Sequence, residues 1–174
     1  MRQHLLLLEE IKLEQHLIVF DLDGTILPTI KEFPEQTFNT LKRAKEKGHK
    51  LMINTARSWN MVKDIYHRLE LDTPIGLANG AEIISPYDKN FQEVFYSLDS
   101  EKTAGIIKEM INYNPPKTIM VETGDKVYLY GDPKVTPYFK YRLESSTIIN
   151  FDESNIPNIQ SSRIIVIKND LDIL

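Results

Sequence analysis

Residues 17–25 read Leu-Ile-Val-Phe-Asp-Leu-Asp-Gly-Thr, an apolar run that passes directly into two acids and a Gly-Thr pair. The apolar run, which is partly β-branched, predicts a short buried strand. Because side chains alternate along a strand, Asp21 and Asp23 are expected on the same side of the chain. Both acids then lie at the carboxyl end of a strand, which is where open α/β sheets usually bind their ligands.

The two carboxylates have two interpretations. Like charges this close repel one another, and a divalent cation would neutralise them. Hard oxygen ligands with no histidine or cysteine nearby favour Mg²⁺. The alternative is a solvated Asp-x-Asp-Gly turn that closes the strand, since Asp and Gly are common turn residues. The stretch alone does not decide between a metal site and a turn.

The next segment predicts a second strand parallel to the first. Residues 34–47 have the pattern of an amphipathic helix that Gly48 ends, and residues 50–54 then form a short apolar strand. A strand, a crossover helix and a strand make a right-handed βαβ unit with parallel strands. This unit places Thr55, just after the second strand, at the same sheet edge as Asp21.

The rest of the chain predicts further alternation of helices and strands. A helix capped by Ser58 precedes a strand at 75–78, and Asn79-Gly80 then signals a tight turn. Asn79 is either a plain turn residue or a residue that lines a substrate cleft. Beyond it we predict a hairpin within 81–96, a helix that ends before Pro115, strands at 118–122 and 126–130, a short helix at 138–143 and a strand at 163–167.

Two of these segments resemble the signatures of a known family. Asp21-Leu22-Asp23-Gly24-Thr25 resembles the first motif of the haloacid dehalogenase-like (HAD) phosphohydrolases, and the order of the downstream features resembles the Cof-type branch. Asn54-Thr55-Ala56-Arg57 resembles the second motif, which commonly reads Thr-Gly-Arg in this branch, so that Ala56 is a departure. The resemblance implies an α/β fold in which a Rossmannoid parallel-sheet core carries an inserted α/β cap. It divides the chain into an extension at 1–16, part of the core at 17–82 and part of the cap at 83–174.

The resemblance also implies an activity, a Mg²⁺-dependent phosphatase acting on small phosphorylated metabolites, sugar phosphates first among them. Asp21 would attack phosphorus and form an aspartyl-phosphate, while Asp23 would serve as general acid and base. Thr55 would bind the phosphoryl oxygens, Arg57 would reach phosphate or substrate, and Asn79 would line the cleft. The implied metal ligands are the Asp21 carboxylate and the Asp23 backbone carbonyl.

The family's third and fourth motifs, a lysine and an acidic loop, normally follow the cap, and we expect the chain to stop before them. Residues 164–170 partly resemble the fourth motif, but the pattern of a cap strand followed by an acid fits them better. On this interpretation the chain alone is a poor or inactive phosphatase that forms a homo-oligomer or is completed by a second polypeptide. A mutase-like phosphotransferase and a non-catalytic phosphate-binding or partner-binding protein are the alternative functions.

Composition excludes several classes of protein. The chain has 174 residues, 41% of them hydrophobic, and a formal net charge of −4, so it lacks the basic excess of a nucleic-acid-binding protein. Cysteine is absent, which excludes disulfides and thiolate metal sites and is compatible with the cytoplasm. The run Leu5–Leu8 is interrupted by Glu9 and Glu10, so we expect a short amphipathic helix rather than an export signal or membrane span.

Overall fold

The structure is a computed structural model that describes residues 14–29, 32–132 and 137–167. The helix predicted around Leu5–Leu8 and the acidic segment at 168–170 lie outside the described residues. Within the described part, no helix is both long enough and apolar enough to cross a bilayer. The chain forms nine strands and four α-helices there: β1 Leu17–Phe20, α1 Glu35–Glu46, β2 Lys50–Ile53, α2 Trp59–Arg68, β3 Ile75–Leu77, β4 Glu82–Ile84, β5 Val94–Phe95, α3 Ser100–Tyr113, β6 Thr118–Thr123, β7 Lys126–Gly131, α4 Pro137–Glu144, β8 Thr147–Asn150 and β9 Arg163–Ile167.

The first half of the chain contains the predicted βαβ unit. Strands β1 and β2 are parallel, with Leu17 opposite Lys50 and Phe20 opposite Ile53. A parallel bridge between Asn54 and Gly76 then joins the end of β2 to β3. The predicted parallel pairing of the first two strands is therefore confirmed, and the third strand meets them at this bridge.

One apolar core holds these strands and helices together. Helix α2 buries one face, whereas α1 packs its apolar stripe against the core with no residue fully buried. Both helices follow the 3.6-residue apolar spacing that the sequence showed. The buried members of this core are Phe20, Leu22, Leu27, Leu51, Ile53, Val62, Tyr66, Leu69, Leu71, Ile75 and Leu77.

The predicted hairpin lies next to the parallel strands. Strand β4 pairs antiparallel with both β3 and β5, so that β3, β4 and β5 form one small sheet. The division of core from cap at residue 82 falls inside β4 and stays a prediction.

A four-stranded sheet dominates the second half. Its order is β8-β7-β6-β9, with β6 antiparallel to both of its neighbours and β7 parallel to β8. Alternate residues of β6 face opposite helices: Ile119 and Val121 pack in the cluster with α3, and Met120 packs in the cluster with Leu143 of α4. Strand β8 was not predicted, because as an edge strand most of its side chains are exposed and leave no apolar pattern.

A buried tyrosine fixes the connection between α2 and β3. The Tyr66 side chain is fully buried and its hydroxyl donates to the Thr73 carbonyl at 2.6 Å, while the Thr73 hydroxyl donates to the Leu51 carbonyl at 2.5 Å. The pKa of Tyr66 is raised from 10 to about 12, mainly by burial and in smaller part by the charges of Tyr87 and Asp72. The folded state therefore favours the protonated phenol.

This pKa predicts a loss of stability at high pH. A raised folded-state pKa contributes stability that is fully present below pH 10 and is lost as the pH rises through about 12. The free energy of unfolding of the wild-type chain, relative to Tyr66→Phe, is expected to fall by roughly 2 kcal/mol over that window. Guanidinium unfolding of both proteins at several pH values measures it, with Tyr113→Phe, at a 91% exposed position, as control. A constant difference between wild type and Tyr66→Phe would contradict the assignment.

Candidate active site

A tight turn after β1 presents the two acids. The carbonyl of Leu22 accepts hydrogen bonds from the backbone N–H groups of Thr25, Ile26 and Leu27, at 2.9 to 3.2 Å. Because the Leu22 side chain is fully buried, its neighbours Asp21 and Asp23 project away from the core. Asp21 is exposed and Asp23 is partly buried. The turn interpretation of this stretch is thus correct as geometry, and it leaves both carboxylates at the strand end.

Backbone hydrogen bonds bring the second and third strand ends to the same edge. The N–H of Asn54 donates to the Phe20 carbonyl at 3.0 Å, which sets Asp21 level with the Asn54-Thr55 pair. The N–H of Asn79 donates to the Thr55 carbonyl at 3.0 Å. Asp21, Thr55 and Asn79 therefore follow neighbouring strands at one edge, which is where the sequence placed Asp21 and Thr55. Their chemical roles stay predictions.

The residues before and after Thr55 explain its position. Thr55 is 2% exposed, and its hydroxyl oxygen accepts a hydrogen bond from the Arg57 N–H at 3.2 Å. Gly76 approaches the neighbouring Asn54 so closely that an added Cβ would lie 2.4 Å from the Asn54 amide oxygen. A glycine in β3 thus permits the close packing of these two strand ends.

Asn79 occupies an unusual backbone conformation. Ala78, Asn79 and Gly80 all have positive φ angles, of 50°, 61° and 87°. Asn and Gly adopt this left-handed region at low cost, whereas Ala does so with strain. The N–H of Ala78 donates to the Arg57 carbonyl at 3.1 Å, which compensates part of that cost and connects this turn to the second motif. The side chain of Asn79 is exposed at the site edge.

The central electrostatic contact of the site is an ion pair between Asp23 and Arg57. The Arg57 Nη2 donates to Asp23 Oδ1 at 2.7 Å and the Nε donates to Oδ2 at 3.0 Å, so the pair is bidentate. The Arg57 side chain is 1% exposed and that of Asp23 is 33% exposed. The family resemblance implies that Arg57 binds phosphate or substrate, but in the structure its guanidinium binds the Asp23 carboxylate. The phosphate contact of Arg57 stays a prediction that requires this guanidinium to rearrange.

The residues at this edge suit a Mg²⁺ ion that takes some of its ligands from the protein and the others from substrate and water. Asp21 makes no hydrogen bond or ion pair with another described residue, so its carboxylate is open, whereas both carboxylate oxygens of Asp23 contact Arg57. Among the described residues, no cluster of three or more His, Cys, Asp or Glu side chains could hold a metal. Mg²⁺ often binds proteins through one or two carboxylates, with water and substrate phosphate as its other ligands. The open Asp21 carboxylate matches that pattern, and the Asp23 backbone carbonyl stays a predicted second ligand.

A second buried ionic cluster adjoins the site and was missed at the sequence level. Glu122 of β6 is 4% exposed and its carboxylate pairs with Arg142 of α4 and with Arg163 of β9, the latter with Nε at 2.9 Å and Nη2 at 2.8 Å. Arg142 Nη2 also reaches the Ala56 carbonyl at 3.5 Å, within the second motif. Nearby, burial raises the pKa of Glu82, an effect that a hydrogen bond from Ser162 opposes and that Glu122 reinforces. The available sequence signal was Glu122 itself, a charged residue that directly follows the apolar run of β6.

Comparison with known proteins identifies the class that this fold and strand-end site define. The family model of the haloacid dehalogenase-like hydrolases matches residues 18–174. A crystal structure of a haloacid dehalogenase-like hydrolase from Bacteroides thetaiotaomicron superposes with a TM-score of 0.62 at 23% identity, covering 80% of this chain and 53% of that chain. The HAD subclass IIB sugar phosphatase BT4131 superposes with the same TM-score at 15% identity, covering 85% and 56%. These structures share the fold.

The chain belongs to the haloacid dehalogenase-like hydrolase family and is of the Cof type, as its motifs indicated. It is 31% identical over 140 residues to the 5-amino-6-(5-phospho-D-ribitylamino)uracil phosphatase YitU of Bacillus subtilis, a match that covers 80% of this chain and 52% of that protein. The chain thus spans about half the length of this relative.

The ion pair predicts different costs for two similar substitutions. Asp23→Asn removes the charge that compensates the buried Arg57 guanidinium, and we expect it to lower the free energy of unfolding by about 2 kcal/mol. Asp21→Asn changes an exposed carboxylate without a partner among the described residues, and we expect a change within about 0.5 kcal/mol. Urea unfolding of both variants measures the two costs. Equal effects of the two substitutions would contradict the ion pair.

Proposed function

We propose that this chain carries the site of a Mg²⁺-dependent phosphatase that acts on small phosphorylated metabolites. The observation that carries the proposal is the convergence of Asp21, Asp23 and Thr55 at the carboxyl ends of parallel strands. At that edge Asp21 offers an open carboxylate, Thr55 a hydroxyl, and Asp23 a carboxylate in reach of the same space. Such an arrangement suits in-line phosphoryl transfer, in which positioning and charge stabilisation dominate.

The reaction runs in two steps with the chain's own side chains. In the first, an Asp21 carboxylate oxygen attacks phosphorus and the bond to the ester oxygen breaks, while Asp23, protonated on an oxygen released from Arg57, gives that proton to the leaving alcohol. In the second, water attacks the aspartyl-phosphate, Asp23 takes a proton from that water, and the bond between Asp21 and phosphorus breaks to release phosphate. Thr55 would donate its hydroxyl to a phosphoryl oxygen throughout.

A Mg²⁺ ion held by the Asp21 carboxylate and the Asp23 backbone carbonyl would neutralise charge on the phosphoryl oxygens. Because only one open carboxylate stands at the site among the described residues, we expect weak metal binding and slow turnover. The bidentate pair with Arg57 fixes the orientation of the Asp23 carboxylate, and one of its oxygens must leave Arg57 before Asp23 can reach a leaving group.

The proposed substrate is a phosphorylated small molecule with an alcohol leaving group. The Bacillus subtilis relative is a phosphatase of a phosphoribitylamino-uracil, and a sugar phosphatase shares the fold. Sugar and polyol phosphates are therefore the first class to assay. The formal net charge of −4 gives the chain no basic excess of the kind that binds a polyanionic polymer.

Phosphate release from a panel of sugar phosphates and from p-nitrophenyl phosphate, with and without Mg²⁺, tests the proposal. We expect slow release that requires Mg²⁺ and that Asp21→Asn reduces to the buffer background. Thr55→Ala is expected to lower kcat/KM by about tenfold to a hundredfold through the lost hydroxyl, and Thr55→Ser is the matched control that keeps it.

Three results would contradict the proposal. Release that survives Asp21→Asn would exclude Asp21 as nucleophile. Phosphoryl transfer to a sugar acceptor without net phosphate release would indicate a mutase-like phosphotransferase. Stabilisation of the chain by phosphate without any turnover would indicate a non-catalytic phosphate-binding protein. Gel filtration of the same samples tests the expectation of a homo-oligomer.

A further inference from the structure

Helix α4 of the second half contacts the second motif through two consecutive residues. The Tyr141 hydroxyl donates to the Met61 carbonyl at 3.3 Å, and Arg57 Nη1 donates to the same carbonyl at 3.3 Å. The Arg57 guanidinium carbon also lies 5.6 Å from the centroid of the Tyr141 ring. Arg142, the next residue of α4, reaches the Ala56 carbonyl at 3.5 Å. The helix therefore contacts the backbone on both sides of Arg57 and the guanidinium itself.

We propose that Tyr141 is a positioning residue that holds the Arg57 guanidinium in the orientation in which it binds Asp23, and so couples the placement of α4 to the second acid of the site. In this role it touches neither substrate nor reacting atoms. The role in catalysis rests on the proposed function, whereas the structural coupling between Tyr141, Arg57 and Asp23 does not.

The burial of Arg57 makes the coupling strong. Arg57 is fully buried, so its charge needs compensation from every side that water does not reach. Asp23 compensates one edge of the guanidinium, the Met61 carbonyl accepts from Nη1, and the Tyr141 ring lies within the distance of a cation–π contact. Because the Tyr141 ring lies over the guanidinium, a shift of the tyrosine removes a direct contact of the arginine, and the two side chains also share the Met61 carbonyl as acceptor.

The position of Tyr141 is itself fixed by buried charge. Its neighbour Arg142 is 1% exposed and pairs with Glu122, which also pairs with Arg163 of the adjacent strand. Helix α4 is thereby bound to the four-stranded sheet and to the Ala56 carbonyl at once. Movement of that sheet relative to β1 and β2 would carry Tyr141 with it and alter the contact between Arg57 and Asp23.

The coupling has a consequence for general acid catalysis. Asp23 can give a proton to a leaving alcohol only from an oxygen that points to it, and both of its oxygens contact Arg57 here. Withdrawal of Tyr141 frees the guanidinium to rotate, which releases one carboxylate oxygen without unpairing the buried charge completely. The placement of α4 thus controls how Asp23 is presented to the leaving group.

The Arg57 Nε–H signal in a proton–nitrogen NMR spectrum tests the structural coupling without substrate or metal. Its assignment follows from Arg57→Lys, which removes it. We expect the exchange of this proton with water to become about tenfold faster in Tyr141→Leu, as the loss of a buried cation–π contact predicts. Tyr141→Phe, which keeps the ring, is expected to restore most of the protection. Tyr130→Leu, a half-buried tyrosine packed near Phe151 on the other face of the sheet, is the matched control and should leave the signal unchanged.

An unchanged Arg57 Nε–H signal in Tyr141→Leu would overturn the proposal. If Tyr141→Leu does not fold, Tyr141→Met takes its place, with the same expected loss of protection and the same contradicting result.

A kinetic arm tests the catalytic consequence separately. Proton donation matters for an alkyl phosphate and little for p-nitrophenyl phosphate, whose leaving group departs without a proton. Tyr141→Leu is expected to change kcat for the alkyl ester several-fold while leaving that for the aryl ester and both KM values unchanged. Equal changes for both esters would contradict a role through Asp23. If the wild type turns over neither ester, the proposed function fails and the NMR result still decides the coupling.

Discussion

The buried guanidinium of Arg57 imposes the constraint on which the site depends. A charge with 1% of its side chain exposed persists only with a partner, and that partner is Asp23, at the end of another strand. The ion pair therefore ties the turn after β1 to the loop after β2, beyond what the backbone bonds of the two strands do. Through the Met61 carbonyl and the Tyr141 ring, the same guanidinium also contacts α4. One arginine thus connects three separate parts of the chain.

The fold of the first half could be predicted because local patterns and connection rules agree there. The apolar run 17–20, the amphipathic helix after Pro34 and the run 50–53 predict a parallel βαβ unit, and β1 and β2 pair in parallel. Strand β8 could not be predicted, since an edge strand with exposed side chains carries no apolar alternation. Its position depends on pairing with β7, which is a tertiary contact.

The sequence predicted where the candidate site residues lie along the chain, but not how their side chains pair, and their roles stay predictions. Asp21, Asp23, Thr55 and Asn79 follow strand ends, and strand ends are visible in the sequence. Which side chain Arg57 contacts depends on rotamers and burial, which the sequence does not show. The family resemblance implied a contact of Arg57 with phosphate or substrate, whereas in the structure Arg57 forms an ion pair with Asp23. The Glu122 cluster was missed for a similar reason. Its partners Arg142 and Arg163 are 20 and 41 residues away along the chain, and only the packing of α4 and β9 against β6 brings them together.

We propose that Asp21 and Thr55, supported by the Asp23–Arg57 pair, form one phosphoryl-binding site. A crystal structure of the chain with Mg²⁺ and beryllium trifluoride, which mimics a phosphoryl group on a carboxylate, tests it most directly. We expect beryllium bound to an Asp21 carboxylate oxygen, a fluorine within hydrogen-bond distance of the Thr55 hydroxyl, and a buried Arg57 beside Asp23. Beryllium trifluoride bound at another residue, or an Asp21-bound group that does not reach Thr55, would show that these residues do not form one site.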